Sequence, residues 1–193
     1  MRHDEFPRLI AIGASTGGPR AIQTVLENLP QDLTSMVFIV QHMPTGFTKS
    51  FADRLKQVTG HMVSETIDRE TALPGHVYVA KGGVHLTLQE VEKGIQILHS
   101  AEPSNSLHKP SIDIFLYSFA QLFGTKRAVI LTGMGADGAK GLREVRIKGG
   151  ITAVENENDC VVYGMPKAAV ELDPAHKELP LLSMGGFLSG RLI

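Results

Sequence analysis

Apolar residues occur along this chain in two alternating patterns. In the first they form short runs of the length of a buried strand, unbroken at residues 9–12, 36–40 and 128–131 and interrupted by one threonine at 151–154. In the second they recur every three or four residues, as on one face of a helix: residues 19–29, 47–58, 111–123, 139–148 and 167–172. This alternation predicts an α/β fold with a doubly wound, mostly parallel sheet and helices on both faces.

Three of the helices carry specific predictions. The first begins near Pro19, because proline is tolerated in a first helical turn. The third has Ser111 as its N-cap, since a serine hydroxyl can accept a bond from a free backbone N–H there. The second is expected to bury one face made of these residues: Phe47, Phe51, Leu55 and Val58.

The middle of the chain departs from this alternation. Residues 76–80, 84–89 and 94–99 are short and extended, and E-V-E-K-G at 90–94 has the composition of a hairpin connection. We therefore expect a small antiparallel β excursion near residues 75–99. The chain contains no repeat, low-complexity segment or long linker, so residues 1–193 are predicted to form one domain.

Composition narrows the class of protein. The hydrophobic fraction is 42% and the charged fraction 20%, which is typical of a soluble globular protein. The formal net charge is −1, so the chain has no excess of positive charge that would attract nucleic acid or an anionic membrane. The single cysteine, Cys160, cannot form an internal disulfide, which favours a reducing compartment. The apolar stretch near the N-terminus is too short for a signal peptide or a membrane span. We therefore predict a cytoplasmic protein that neither binds nucleic acid nor inserts into a membrane.

Three polar residues follow predicted strands. Ser15 comes after the first strand, His42 after the second, and Asp137 after the strand at 128–131. Since the carboxyl ends of parallel strands share one edge of the sheet, these side chains are expected to meet there. A hydroxyl, an imidazole and a carboxylate are the groups that nucleophilic acyl transfer needs. The stretch G-A-S-T-G around Ser15 also fits the G-x-S-x-G turn, which exposes a nucleophilic serine.

Other interpretations of these residues stay open at this point. Ser15 can be a turn or capping serine, and Gly13, Gly17 and Gly18 can bring backbone amides to a phosphate. The spacing, however, is neither G-x-G-x-x-G nor a P-loop. Asp137 can simply cap the helix that follows it.

Three further features of the sequence bear on its chemistry. A metal site made of His42, His108 and Asp113 lacks metal-ligand spacing, so no metal and no cofactor are predicted. The α/β-hydrolase chain order is serine, acid, histidine, and the histidine available for it is His176, in a polar segment that resembles a surface loop. We therefore prefer His42 as the base, and we expect Cys160 to be a small buried residue and not a nucleophile.

Four stretches together resemble one family. They are I-G-A-S-T-G-G-P at 12–19, Q-H-M-P-x-G-F-T at 41–48, L-T-G-M-G-x-D-G-A at 131–139 and C-V-V-Y-G-M-P-K-A at 160–168. The stretches L-P-G-H-V-Y-V-A and H-K-P-S-I-D fit the same pattern. In this order they resemble the catalytic domain of the bacterial chemotaxis protein-glutamate methylesterase, CheB. The resemblance covers about residues 8–171 and leaves 173–193 unassigned.

The resemblance implies a serine hydrolase that acts on glutamate methyl esters of methyl-accepting chemotaxis receptors, and many members also deamidate receptor glutamines. It implies that Ser15 is the nucleophile, that His42 is the general base and then acid, and that Asp137 orients the histidine. It also implies that Thr16 is an active-site neighbour and that Met134 supplies an oxyanion-stabilising backbone amide.

The sequence departs from the family pattern in two places. Members usually carry an N-terminal receiver domain, whereas seven residues precede the matched region here. Lys109 stands where the family has arginine, and lysine lacks the bidentate guanidinium. Two alternative functions remain open: a small-molecule carboxylesterase or amidase, and a catalytically silent receptor-binding module. The oligomeric state is not predicted.

Overall fold

The computed structural model describes residues 8–191, and within them a parallel sheet of seven strands forms the centre of the molecule. In spatial order the strands are β3 (Met62–Glu65), β4 (His76–Val79), β2 (Met36–Gln41), β1 (Arg8–Ala14), β7 (Thr125–Ile130), β8 (Ile151–Glu155) and β9 (Lys177–Leu179). Two further strands, β5 (His85–Val91) and β6 (Gly94–Ser100), form an antiparallel hairpin. The predicted doubly wound, mostly parallel fold is confirmed.

Helices cover both faces of the sheet. On one face lie α1 (Gly18–Glu27), α2 (Thr48–Thr59) and α6 (Met184–Ser189), and on the other lie α3 (Ile112–Gln121), α4 (Ala139–Ile147) and α5 (Met165–Leu172) together with the hairpin. A 3-10 turn (Leu181–Ser183) precedes α6. Because both faces are covered, the central strands are mostly apolar, with their polar residues at the strand ends.

Strand β1 shows how one run of residues builds two cores. Leu9 and Ala11 belong to the cluster beneath α3 and α4, whereas Ile10 and Ile12 belong to the cluster beneath α1 and α2. Successive side chains of a strand point to opposite faces, so a continuous apolar run serves both layers. This is why the pattern of unbroken runs predicted buried strands correctly.

The second predicted helix forms, but part of its buried face was wrong. Phe51 and Leu55 are buried as expected, whereas Phe47 and Val58 are 61% and 44% exposed. Phe47 precedes the first residue of α2, and Val58 lies about 100° around the helix from Thr59, which is buried in its place. The apolar face of α2 is therefore completed by Thr48, Ala52 and Thr59.

The structure also changes the boundaries of the middle and C-terminal segments. The expected antiparallel excursion near residues 75–99 is confined to the β5–β6 hairpin, because β4 pairs in parallel with β2 and β3. Strand β3 was not predicted. The unassigned residues after 173 form β9 at the sheet edge and α6, whose Met184, Phe187 and Leu188 pack into the core beneath α1.

The order of the strands places a crevice at one end of the sheet. From β1 the chain first moves to β2 on one side, and it later returns to β7 on the other side. Loops that leave β1 and β7 therefore diverge above the carboxyl ends of these strands, and ligands of open α/β sheets bind at such a point.

Candidate active site

Ser15 lies at the first turn after β1. Its backbone N–H donates to the carbonyl of Thr132 at 3.0 Å, and its own carbonyl accepts from Gly18 N–H at 2.8 Å. The second bond closes a tight turn between β1 and the first residue of α1. Ser15 is half-buried and Thr16 is exposed. The sequence-predicted turn thus presents Ser15 at the carboxyl edge of the sheet.

Gln41 ties the serine turn to the loop that carries His42. Its buried carboxamide nitrogen donates to the carbonyl of Ser15 at 2.9 Å and to the carbonyl of His42 at 3.0 Å. A side chain on Gly18 would collide with this carboxamide, because an ideal Cβ there lies 2.0 Å from Gln41 Oε1. Sequence reasoning missed Gln41, although a polar residue at the end of an otherwise apolar strand is a usable signal.

Asp137 is held by four hydrogen bonds. His42 Nε2 lies 2.8 Å from its Oδ2, and the Ser111 hydroxyl donates to Oδ1 at 2.9 Å. The backbone N–H groups of Ile112 and Asp113 donate at 2.7 and 2.9 Å from the first turn of α3. Burial raises the pKa of Asp137, but these donors outweigh it and lower the pKa to about 2. The carboxylate is therefore ionised at neutral pH.

Asp113 completes a reciprocal cap between two helices. It lies in the first turn of α3 and accepts a 2.7 Å bond from Gly141 N–H in α4, while Asp137, just before α4, accepts from the first turn of α3. Burial raises the pKa of Asp113. The hydrogen bond from Gly141 lowers this pKa and the nearby charge of Asp137 raises it, so that the pKa stays above its ordinary value. Each helix start thus receives an acidic partner from the other, which fixes the position of Asp137.

His42 has one partnered and one free ring nitrogen. Since Asp137 is an ionised acceptor, Nε2 carries the proton of the neutral ring, and the protonation is inferred from this network. Nδ1 is buried and has no partner among residues 8–191. It is therefore the nitrogen that is free to accept a proton.

The expected contacts among the three residues are met in part. The hydrogen bond between Asp137 and His42 is present, whereas within residues 8–191 no hydrogen bond joins the Ser15 hydroxyl to His42. A serine hydroxyl rotates freely, and such bonds are often long before substrate binds.

Two backbone N–H groups near Ser15 are free to donate. Thr16 N–H and Met134 N–H have no acceptor within residues 8–191. Gly133 packs directly on the serine, since an ideal Cβ on Gly133 would lie 2.8 Å from Ser15 Cβ. The residue after it, Met134, is 69% exposed and therefore lies at the open side of the crevice.

Thr132 connects the loops on both sides of the crevice. Its hydroxyl donates to the carbonyl of Thr16 at 2.9 Å and accepts from Val162 N–H at 2.9 Å. Its own N–H donates at 2.7 Å to Glu155, a fully buried residue whose pKa is raised by burial. Sequence reasoning missed Thr132, because its contacts are with residues far away in the sequence.

His108 stacks on His42. The two ring centroids are 3.9 Å apart and the rings are inclined by 16°. Face-to-face rings do not direct their nitrogens to a common point, as metal ligands must. Among residues 8–191, no three histidine, cysteine, aspartate or glutamate side chains gather closely enough to hold a metal ion.

Two other candidate residues lie outside this group. His176 is buried and bonded to Thr152 at 2.7 Å, near the start of β8 and thus at the opposite end of the sheet from Ser15. The expectation of an exposed loop at His176 was wrong. Cys160 is half-buried, and burial, followed by the charge of Glu155, raises the pKa of its thiol to about 12, which keeps it protonated.

Comparison with known proteins gives consistent results. A model of the CheB methylesterase family matches residues 10–188. The protein-glutamate methylesterase/protein-glutamine glutaminase of Bacillus subtilis (strain 168) is 45% identical over 172 residues, which are 88% of this chain and 48% of that protein. The protein of the same name from Photorhabdus laumondii is 42% identical, over 92% of this chain and 51% of that protein.

A solved structure is similar over nearly the whole chain. The crystal structure of the Thermotoga maritima CheB methylesterase catalytic domain superposes with a TM-score of 0.91 at 37% identity, covering 96% of this chain and 99% of that one. This chain spans about half the length of the curated relatives it matches. Within residues 8–191, no helix has both the length and the apolar character needed to cross a bilayer.

Proposed function

The chain belongs to the CheB methylesterase family, and on that premise we propose that it removes methyl groups from glutamate methyl esters of chemotaxis receptors. The products are glutamate and methanol. The observation that carries this proposal is the 2.8 Å bond between His42 and an ionised Asp137, at the sheet edge where Ser15 follows β1. We propose further that the chain is a single catalytic domain that acts in the cytoplasm without a cofactor.

In the first step the Ser15 hydroxyl attacks the ester carbonyl. Its proton passes to His42 Nδ1, the buried ring nitrogen that has no partner among the described residues. The ring then carries a positive charge, which the carboxylate of Asp137 stabilises through Nε2. Asp137 fixes the required tautomer in the resting protein, because it accepts the proton on Nε2.

The tetrahedral intermediate carries a negative charge on the former carbonyl oxygen. We propose that the free N–H groups of Thr16, which follows Ser15, and of Met134, which follows the Gly133 that packs on Ser15, receive this oxygen. One such donor is worth on the order of 100-fold in rate. Thr132 holds the carbonyl of Thr16 and thereby sets the orientation of the serine turn.

Collapse of the intermediate releases methanol and leaves an acyl-enzyme. Methoxide is a poor leaving group, so it needs the proton that His42 carries. Water then enters, gives a proton to His42 and attacks the Ser15 ester; His42 returns this proton to Ser15 Oγ as the acyl bond breaks and the glutamate side chain is released. Deamidation of a receptor glutamine follows the same course with ammonia as the leaving group.

The experiment is methanol release from methylated receptor fragments. The native chain is expected to release methanol, Ser15→Ala is expected to release none above background, and Ser50→Ala, at an exposed serine of α2, is expected to match the native chain. Ser15-dependent cleavage of small esters without methanol release would replace the receptor by a small substrate. Binding of the fragment without turnover of any ester would identify a binding module.

A further inference from the structure

A second histidine covers the proposed catalytic base. The His108 ring lies against one face of His42, with centroids 3.9 Å apart and 16° between the ring planes. His108 is half-buried and belongs to the segment between β6 and α3. Three residues after it, the Ser111 hydroxyl donates to Asp137. One short segment therefore contacts both the base and the acid that orients it.

His42 needs this second contact because one hydrogen bond does not fix a ring. The bond from Nε2 to Asp137 fixes one ring atom, and the side chain fixes Cβ, but the ring plane can still tilt about the line that joins these two atoms. Nδ1 has no partner among the described residues that would stop such a tilt. A flat ring stacked on its face does stop it, since any tilt would separate or overlap the two π surfaces.

We propose that His108 is a positioning residue that fixes the plane of the His42 ring. Its uncharged ring covers one face of His42 while His42 carries the proton taken from Ser15. His108 acts through His42 and does not itself touch the reacting atoms. This inference rests on the proposed function, because it assigns His108 a task in the reaction of Ser15.

The charges around His108 agree with this role. Burial lowers the pKa of His108, the proximity of His42 lowers it further, and Asp137 opposes both effects. The neighbouring ammonium of Lys109 is held 2.8 Å from the carbonyl of Ala101. His108 is therefore neutral at neutral pH, and a proton placed on it in acid would oppose the positive charge that His42 must carry.

The test compares three variants in steady-state hydrolysis of a receptor fragment and of a small methyl ester. His108→Ala is expected to lower kcat at least about tenfold with KM changed less than about twofold, since a small displacement of a catalytic group costs this much or more. His108→Phe keeps a flat ring and is expected to stay within about threefold of the native kcat. His76→Ala is the control, because His76 is also half-buried and stacked, on Tyr78 at 4.4 Å, in β4.

The pH profile separates positioning from general stability. In the native chain, log(kcat/KM) is expected to fall in acid with a limiting slope of about two, because a proton on either ring interferes with catalysis. In His108→Phe the slope is expected to be about one. A native kcat in His108→Ala, or a slope of one in both proteins, would overturn the inference.

Failure of this inference differs from failure of the proposed function. If the native chain shows no Ser15-dependent hydrolysis, the proposed function is wrong. If it hydrolyses the ester and His108→Ala matches it, only the role of His108 is wrong. Should His108→Ala fail to fold, His108→Phe decides the matter: loss of kcat in this variant, with a native melting temperature, would contradict the role of a stacked ring.

Discussion

Two buried histidines lie at opposite ends of the same sheet and differ in one partner. His42 and His176 each have one ring nitrogen in a hydrogen bond and one buried nitrogen without a partner among the described residues. His42 is bonded to the carboxylate of Asp137, whereas His176 is bonded to the hydroxyl of Thr152. Burial of a histidine with a free nitrogen is thus not a mark of catalysis in this fold.

The difference lies in what surrounds each ring. Asp137 is ionised because α3 and Ser111 donate to it, so it can stabilise a positive charge on His42. At His176 the neighbouring carboxylate of Asp173 is already paired with Arg146 at 2.6 Å, and burial lowers the pKa of the ring. We therefore propose that His42 is the ring that exchanges a proton in the reaction, whereas burial keeps His176 neutral as part of the packing.

The largest expected effect comes from removing each imidazole in turn. His42→Gln should lower kcat at least about 1,000-fold, because it removes the proposed base and acid. His176→Gln should leave kcat within about threefold, since it lies at the other end of the sheet. Methanol release at saturating substrate measures both. Equal losses in the two variants would erase the distinction drawn between these histidines.

A smaller effect on kcat is expected from replacing the two threonines that lie at the two ends of the sheet, Thr132 near Ser15 and Thr152 beside His176. Thr132→Val removes the hydroxyl that holds Thr16 and Val162, and it should lower kcat about tenfold, with recovery in Thr132→Ser. Thr152→Val removes the partner of His176 and should leave kcat within about twofold. Rates and unfolding midpoints are measured for all three variants. If Thr152→Val lowered kcat as much as Thr132→Val, the link of Thr132 to the serine turn would have no support.

The smallest effect is a change in how stability depends on pH. The pKa of His176 lies below its ordinary value of 6.5, so the unfolded chain takes up a proton there before the folded chain does. The stability is complete above pH 6.5 and declines as pH falls from 6.5 through the folded pKa. His176→Gln should make this decline shallower in denaturant titrations between pH 7 and pH 5. An unchanged slope would mean that the pKa of this ring is the same in the folded and the unfolded protein, which would contradict the lowered pKa.

Local patterns were enough to predict most of the fold. The runs at β1, β2 and β7 are buried on both faces, as is the run in β8 apart from its first residue, and Ser111 caps α3 as expected, with its hydroxyl accepting from Ile114 N–H. Strand β3 was missed because it has four residues, of which only Val63 is buried, and so contains no apolar run. Helix α6 was missed because its six residues include two glycines, and its burial depends on α1.

The residues of the candidate site also fall into two groups, those that local sequence patterns predicted and those that they did not. The strand-end argument brought Ser15, His42 and Asp137 to one edge, because it depends only on where parallel strands finish. Gln41, at the end of β2, was within reach of this argument and was missed, whereas the roles of Thr132 and His108 could not be found in that way. Thr132 contacts a residue 116 positions away, and His108 contacts His42 across 66 positions of chain. These contacts follow from the packing of loops, which has no period in the sequence.

The most direct test of the account is whether a serine-directed fluorophosphonate labels Ser15, with the site identified by peptide mass spectrometry. The account predicts one label per chain, on Ser15, at a rate that falls at least about 100-fold in His42→Gln and stays native in His176→Gln. Labelling of another residue, or a rate that does not depend on His42, would contradict the central claim that His42 and Asp137 activate Ser15.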